Sequence, residues 1–269
     1  MYKQIGNLEF FQFKILSGFD NIIHFVTTRQ GGLSEPPYDF LNFGLNSGDN
    51  PLKVIRNRDI IAGAFGFSSE NFTTVRQIHG KKVRVITLDS IHKEKSEKKP
   101  PDLAADALIT NLPNFCITVA VADCVPIILY DPAKKVIGVV HSGWQGTVKK
   151  IAESAIKTMI ERFNCESSNI VAGIGPSIGP CCYEVGDKVI KKVRKAFDCH
   201  NDLLINEENS ELIHLDLWKA NHEILLSSGL KNENIEVSSQ CTKCNPDRFF
   251  SYRVQGERYG RMAASIMLI

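Results

Sequence analysis

The chain has 269 residues, of which 43% are hydrophobic, 23% charged and 9% aromatic. Those proportions belong to a globular protein and exclude collagen-like, low-complexity and wholly disordered classes. With 32 basic and 30 acidic side chains the formal charge is +2, so no strong field points to nucleic acid or an anionic membrane.

The length admits two domains at roughly 150 residues each, but α/β units of about 250 residues also fold as one. The first sixteen residues lack the basic-then-apolar layout of a signal peptide. The longest apolar run, residues 117–130, is broken by Asp123 and falls short of the roughly 20 residues that span a bilayer. A cytoplasmic protein is therefore expected. Its eight cysteines are far too sparse for a disulfide scaffold. In a reducing compartment they act as core thiols, metal ligands or nucleophiles.

In chain order, residues 10–16 and 22–27 read as strands. Residues 29–50 are rich in Gly, Asn, Ser and Pro and read as a long ordered loop, of the kind that is often functional. Pro51 opens a helix to about Phe65. Strands follow at 73–77 and 83–88, around the turn Ile78-His79-Gly80. The stretch HKEKSEKKPP (92–101) is charged, ends in two prolines and reads as an exposed loop. Strands resume at 107–110, across the apolar run 117–130, and at 136–141. A Gly-rich turn, Ser142–Gly146, leads into an amphipathic helix over 147–163. A strand at 170–174, helices at 184–197 and 217–226, and strands at 235–238 and 249–252 complete the pattern. It predicts an α/β fold with a mixed sheet.

Three segments carry chemistry-bearing residues at strand ends. In VIGVVHSGWQG (136–146), a buried strand ends at His141 before a helix, a favoured ligand position in open α/β sheets. The glycines there admit a close backbone approach, and the helix start favours an anion such as phosphate. In AVADCVP (120–126), Asp123 and Cys124 interrupt an apolar strand, and a buried carboxylate is costly unless paired or ligated. In TVRQIHG (74–80), His79 closes a strand. Each segment alone also fits a structural use: a satisfied turn histidine, or a carboxylate capping amides. Together His79, Cys124 and His141, one of several His/Cys combinations in the sequence, offer three donors for zinc with a fourth position left for water, the layout of catalytic zinc. The donors suit zinc or copper better than magnesium. Their gaps match no local zinc motif.

Other cysteines and glycines compete. Cys241 and Cys244 form a C-x-x-C without a second such pair. Cys181 and Cys182 read as packing residues. GIGPSIG (173–179) lacks the lysine of a phosphate loop.

The segments TTRQGGLSEPPYDFLNFGLNSGDNP (27–51), NR (57–58), QIHG (77–80), ADALIT (105–110), VADCVPIILYD (121–131), HSGWQGT (141–147), GIGPSIGPCCYEVG (173–186), DLWKAN (216–221) and SYRVQGERYGR (251–261) stand in fixed order over almost the whole chain. They resemble the YfiH/YlmD-like family, also called laccase-domain or polyphenol oxidase proteins, purine nucleoside phosphorylases and peptidoglycan editing factors. The resemblance implies one layered α-β-β-α domain with mixed sheets, similar to the catalytic domain of a cytotoxic necrotising factor. It implies Zn²⁺ at His79, Cys124 and His141. The implied activities are phosphorolysis of adenosine, inosine, guanosine or methylthioadenosine and hydrolytic deamination of adenosine. The copper-oxidase label fits poorly with one His/Cys/His set in a chain of seven histidines.

On that reading an activated water attacks C6 of adenine, with Asp123 as proton carrier or supporting residue. Arg29, Arg58 and the Gly143–Gly146 turn are candidates for phosphate. Asn42, Asn46 and Asp49 are candidates for the ribose hydroxyls. Gln145 stands where the family usually has arginine, and Tyr259 where it usually has threonine. The expected partners are purine nucleosides and phosphate, without nucleic acid or membrane. A cysteine hydrolase with Cys124 as nucleophile and His141 as base is the alternative, acting as an amidase on a peptidoglycan precursor. A non-catalytic partner protein is the third reading.

Overall fold

A computed structural model describes residues 1–91, 103–206 and 212–269. The charged stretch at 92–101 lies outside the described residues. β1 (Tyr2–Ile5), β2 (Leu8–Phe11), β3 (Ile22–Thr27), β4 (Phe72–Thr73), β7 (Cys116–Val121) and β14 (Met262–Leu268) form a six-stranded sheet in the order β1-β2-β3-β14-β7-β4. β5 (Val83–Ile86), β6 (Ala107–Thr110), β8 (Val125–Asp131), β9 (Val136–Ser142), β10 (Val171–Ile174) and β13 (Ile235–Val237) form a second, in the order β13-β10-β8-β9-β6-β5. Both are mixed: β4 and β7 pair in parallel, as do β5 with β6 and β10 with β13, while the other pairs are antiparallel. β11 (Leu204–Asn206) and β12 (Ile213–Leu215) pair separately.

The central strands are apolar throughout because both of their faces are covered. In β8, Ile128 and Tyr130 point at the other sheet and pack with Val26, Ile117 and Val119. The alternate residues Val125, Ile127 and Leu129 pack outward on Ala152, Ile156 and Met159 of the helix Ile151–Phe163. β14 alternates likewise. Its Ala264, Ile266 and Leu268 face the inter-sheet core. Ala263 and Met267 meet Phe10, Phe25 and Ile61, the last from helix α1 (Pro51–Ala64). Helix, sheet, sheet and helix therefore stack in layers, a single α/β domain with mixed sheets.

The further α-helices that lie wholly among the described residues are α2 (Trp144–Val148), α3 (Ile151–Phe163), α4 (Asp187–Ala196), α5 (His200–Leu203), α6 (Leu217–Ser227) and α7 (Tyr252–Gln255). Among the described residues no helix is long and apolar enough to cross a membrane. The long loop at 29–50 has no regular element. It is organised by fully buried Asn57 of α1, which accepts from Leu33 N (2.8 Å) and donates to Ser34 Oγ and Asn42 O (2.9 Å each).

Several sequence expectations shift. The strand expected at 10–16 stops at Phe11, because the chain turns and Phe13 N donates to His24 Nε2 (3.0 Å). The strand at 73–77 shrinks to Phe72–Thr73, and Gln77 pairs through its side chain instead. The helix at 147–163 is two helices, broken where Lys150 takes φ +57°. No strand forms at 249–252. Phe249 N donates to Asn245 O (3.0 Å) in a turn, and α7 follows.

Candidate active site

Asp106, fully buried just before β6, organises the site. Its carboxylate accepts from His79 N (2.9 Å) and Gly80 N (2.7 Å), and bonds to His141 Nδ1 (2.9 Å). Its carbonyl accepts from His141 N (2.7 Å). One buried carboxylate thus fixes the turn bearing His79 and the ring of His141. With Nδ1 engaged, Nε2 is the nitrogen left to act as a donor to a metal. Gln77 anchors the same turn to β7: its Nε2 donates to Ala120 O and its Oε1 accepts from Ala120 N, both at 2.9 Å. His79 itself adopts φ +54°.

Cys124 lies in the short connection between β7 and β8, directly after Asp123, whose φ is +78°. The donor atoms of His79, Cys124 and His141 all lie within 4.8 Å of one another. The two imidazoles meet edge to face with centroids 4.9 Å apart. Gly143 makes room for the sulfur, since a Cβ there would sit 2.7 Å from Cys124 Sγ. Burial opposes ionisation of the Cys124 thiol, but the neighbouring His141 and His79 outweigh it and bring it down to about 6. Burial also opposes the charge on His141, yet the Cys124 thiolate and Asp106 raise it to about 9. Without a metal the pair is a thiolate beside an imidazolium. With one, two imidazoles and a thiolate are a donor set suited to zinc, with a further position open.

Two lobes meet at this set. One, of about 380 Å³, is lined by Arg58, Arg261, Asn46 and Gln77 besides the three donors. Burial lowers Arg58 to about 10, so it stays charged at neutral pH. Its guanidinium caps Phe43 O (3.0 Å) and lies 4.1 Å from the Phe43 ring centroid. The other lobe, of about 320 Å³, is lined by Trp144, Tyr183, Tyr252, Ile178 and Leu217, with His79 and Cys124 at its floor. Tyr259 borders both, with the Arg261 guanidinium 4.8 Å from its ring centroid and the Tyr252 ring 5.4 Å away.

The other expected site residues divide. Asn46 and Arg58 line the cationic lobe. Asn42 is fully buried behind it, accepting from Gly44 N (3.0 Å) and Arg261 N (2.9 Å), and so shapes the wall without facing it. Asp49 accepts from Ser34 Oγ (2.6 Å) and Asn42 Nδ2 (3.0 Å) within the loop. Arg29 lines neither lobe: it pairs with Asp39 (2.9 Å) and donates to Pro246 O (2.7 Å), which corrects its expected place beside phosphate. Asp123 borders the aromatic lobe, but its carboxylate accepts from Thr242 Oγ1 (2.6 Å) and Arg253 N (2.8 Å). The Gly143–Gly146 turn opens only a five-residue helix, with Gly146 buried, and Gln145 borders the aromatic lobe. Asp106 was not singled out from sequence. The signal was available, since a carboxylate in ADALIT faces the same burial cost as the one in AVADCVP. Finally, Cys181, Cys182, Cys241 and Cys244 converge at a separate place.

The chain belongs to the family described as multi-copper polyphenol oxidoreductase laccase, whose model matches residues 23–269. It is 37% identical over 253 residues to the purine nucleoside phosphorylase YlmD of Bacillus subtilis, covering 94% of this chain and 88% of that one. It is 34% identical over 242 residues to an adenosine deaminase from an unknown prokaryotic organism, covering 90% and 92%. The crystal structure of YfiH from Bacillus licheniformis superposes with a TM-score of 0.89 at 32% identity, covering 100% of this chain and 99% of that one.

Proposed function

We propose that the chain is a zinc-dependent purine nucleoside enzyme that performs phosphorolysis and hydrolytic deamination at the His79–Cys124–His141 site. The observation that carries this reading is the junction of two unlike lobes at one metal-donor set. An aromatic lobe suits a flat purine, because Trp and Tyr rings offer stacking faces with a polar tip. A lobe lined by three arginines, Arg58, Arg76 and Arg261, suits a phosphate. The relatives' names support the same chemistry.

In this reading Trp144, Tyr183 and Tyr252 hold the base, and Tyr259 divides the lobes. Arg58 and Arg261 hold phosphate where the N-glycosidic bond breaks, and Asn46 reaches the ribose hydroxyls. His79, Cys124 and His141 would hold the zinc ion, which would supply Lewis acidity at the junction of the lobes. Asp106 holds His141 in the tautomer that presents Nε2. Asp123 positions the walls through Thr242 and Arg253. The family's copper label has less support, because among the described residues the clusters of ligating side chains bring together only two histidines, His79 and His141.

One observation favours a second reading. Cys124, His141 and Asp106 are arranged as nucleophile, base and orienting carboxylate, which is the geometry of a cysteine hydrolase. An amidase acting on a peptidoglycan precursor would use it.

The test incubates zinc-loaded protein with adenosine, with and without phosphate, and separates the products by chromatography. Adenine with ribose 1-phosphate, or inosine, is the expected result, abolished in Cys124→Ala. Neither product above that control sinks the nucleoside reading. Covalent labelling of metal-free Cys124 by a substrate-like electrophile, with amide turnover, would support the hydrolase.

A further inference from the structure

Cys181, Cys182, Cys241 and Cys244 come from chain segments some 60 residues apart, yet their sulfurs all lie within 4.8 Å of one another. Cys244 Sγ is 3.5 Å from Cys181 Sγ and 3.4 Å from Cys182 Sγ. All are free thiols. Four thiolates about 2.3 Å from one tetrahedral ion stand about 3.8 Å apart. The cluster therefore has the spacing of a mononuclear tetrathiolate site. Inorganic sulfide inside an iron–sulfur cube would force its cysteines wider.

The surroundings are built for it. Gly179 N donates to Cys241 Sγ (3.2 Å), the kind of amide bond that steadies a metal-bound thiolate. A Cβ on Gly179 would lie 2.7 Å from the Trp218 ring and 3.1 Å from Cys241 Cβ, so only glycine lets the two segments close. Asn245 Nδ2 donates to Cys241 O (2.8 Å) and shapes the C-x-x-C turn. The turn is joined to the facing segment by Ser177 N to Gln240 O (3.1 Å) and Thr242 N to Ser177 O (3.0 Å).

We propose that these four cysteines hold one zinc ion in a closed structural site, separate from the His79–Cys124–His141 set. The C-x-x-C turn is one half of the site and the adjacent pair Cys181-Cys182 is the other. Four thiols release four protons as the ion binds, which leaves no position for water or substrate. The ion pins the 241–244 turn to the 177–183 segment. Thr242 of that turn holds Asp123, next to Cys124. The closed site thereby braces one wall of the catalytic cleft without touching substrate.

The test is metal content by mass spectrometry on protein purified under reducing conditions with zinc present. Wild type is expected to carry about two zinc ions per chain, and His79→Ala about one. Cys244→Ser, at an exposed position, is expected to carry about one. The double variant carries none. Cobalt substituted into His79→Ala should give the intense sulfur-to-cobalt charge transfer of a tetrathiolate, lost in Cys181→Ser. Should Cys244→Ser fail to fold, a mercurial titration of His79→Ala must release its zinc in step with the loss of four thiols. A His79→Ala protein without zinc overturns the proposal. So does a Cys244→Ser protein that still holds two, or a Cys244 disulfide to Cys181 or Cys182 found in the reduced preparation.

Discussion

Asp106→Asn is the sharpest perturbation of the catalytic set. The carboxylate holds His79 N, Gly80 N and His141 Nδ1 at 2.7 to 2.9 Å, with both oxygens in use. An asparagine keeps the shape but offers one oxygen. Its amide nitrogen must face either the Gly80 N–H or the side shared by His79 and His141. One hydrogen bond to a charged group, worth about 1.5–3 kcal/mol, is lost, and one buried donor is orphaned at about 1–3 kcal/mol. These costs fall on the turn carrying one ligand and on the ring carrying another. Zinc affinity of the catalytic set should drop about 10- to 100-fold, the usual effect of removing a group that orients a ligand. At a net loss of about 2.5 kcal/mol, the low end of that sum, melting should fall by roughly 5–10 °C. Competition with a chromophoric chelator measures the affinity, and calorimetry the melting. Zinc held within twofold of wild type would refute the view that Asp106 sets the ligand geometry.

Gly143→Ala keeps an ordinary φ of −70° but places a methyl 2.7 Å from Cys124 Sγ. It should melt near wild type while losing zinc from the catalytic set, and a variant with full zinc content contradicts the packing argument. In metal-free protein, the Cys124 thiolate exists above about 6 and is lost as pH falls through that value. Iodoacetamide mapping should give that midpoint at Cys124, and His141→Ala should move it upward, because burial is then opposed by less charge. A wild-type midpoint near the ordinary thiol value of about 8.5 defeats the pairing. Arg58→Met should weaken phosphorolysis about 10-fold or more through the KM for phosphate, as one charged hydrogen bond predicts, with deamination little changed. Equal losses in both activities would place Arg58 in the loop scaffold instead.

Much of this was legible in the sequence. The His79, Cys124 and His141 positions stood out because each interrupts an apolar pattern where a strand ends. Convergence of the three did not follow from spacing, since gaps of tens of residues carry no distance information. It followed from order within a recognisable set of motifs. β14 was missed because MAASIML has no alternation to mark it: both faces are buried, so every position is small or apolar. The break at Lys150 was missed because apolar periodicity runs on across it, and a positive φ at lysine leaves no signature. The four-cysteine cluster was invisible for a similar reason. Cys181-Cys182 looks like packing and Cys241-x-x-Cys244 like half a motif until the sheet brings β10 beside β13.

On the proposed zinc reading, the two carboxylates beside His141 and Cys124 leave the donor set at three. Asp106 and Asp123 are each close in sequence or space to a ligand, and either oxygen type is an acceptable fourth donor to zinc. Neither is available. Asp106 has both oxygens bonded to amides and to His141, and Asp123 has one oxygen on Thr242 and the other on Arg253 N. Charge-assisted bonds of this kind hold the carboxylates away from an ion that would otherwise attract them. Asp123 does this from a left-handed conformation that few non-glycine residues adopt. The fold thus contributes negative charge behind the ligands, which strengthens His141 as a donor, while leaving the open side of the set to water or substrate. A closed cysteine site and an open His/Cys/His site, as proposed, would be opposite solutions from similar atoms.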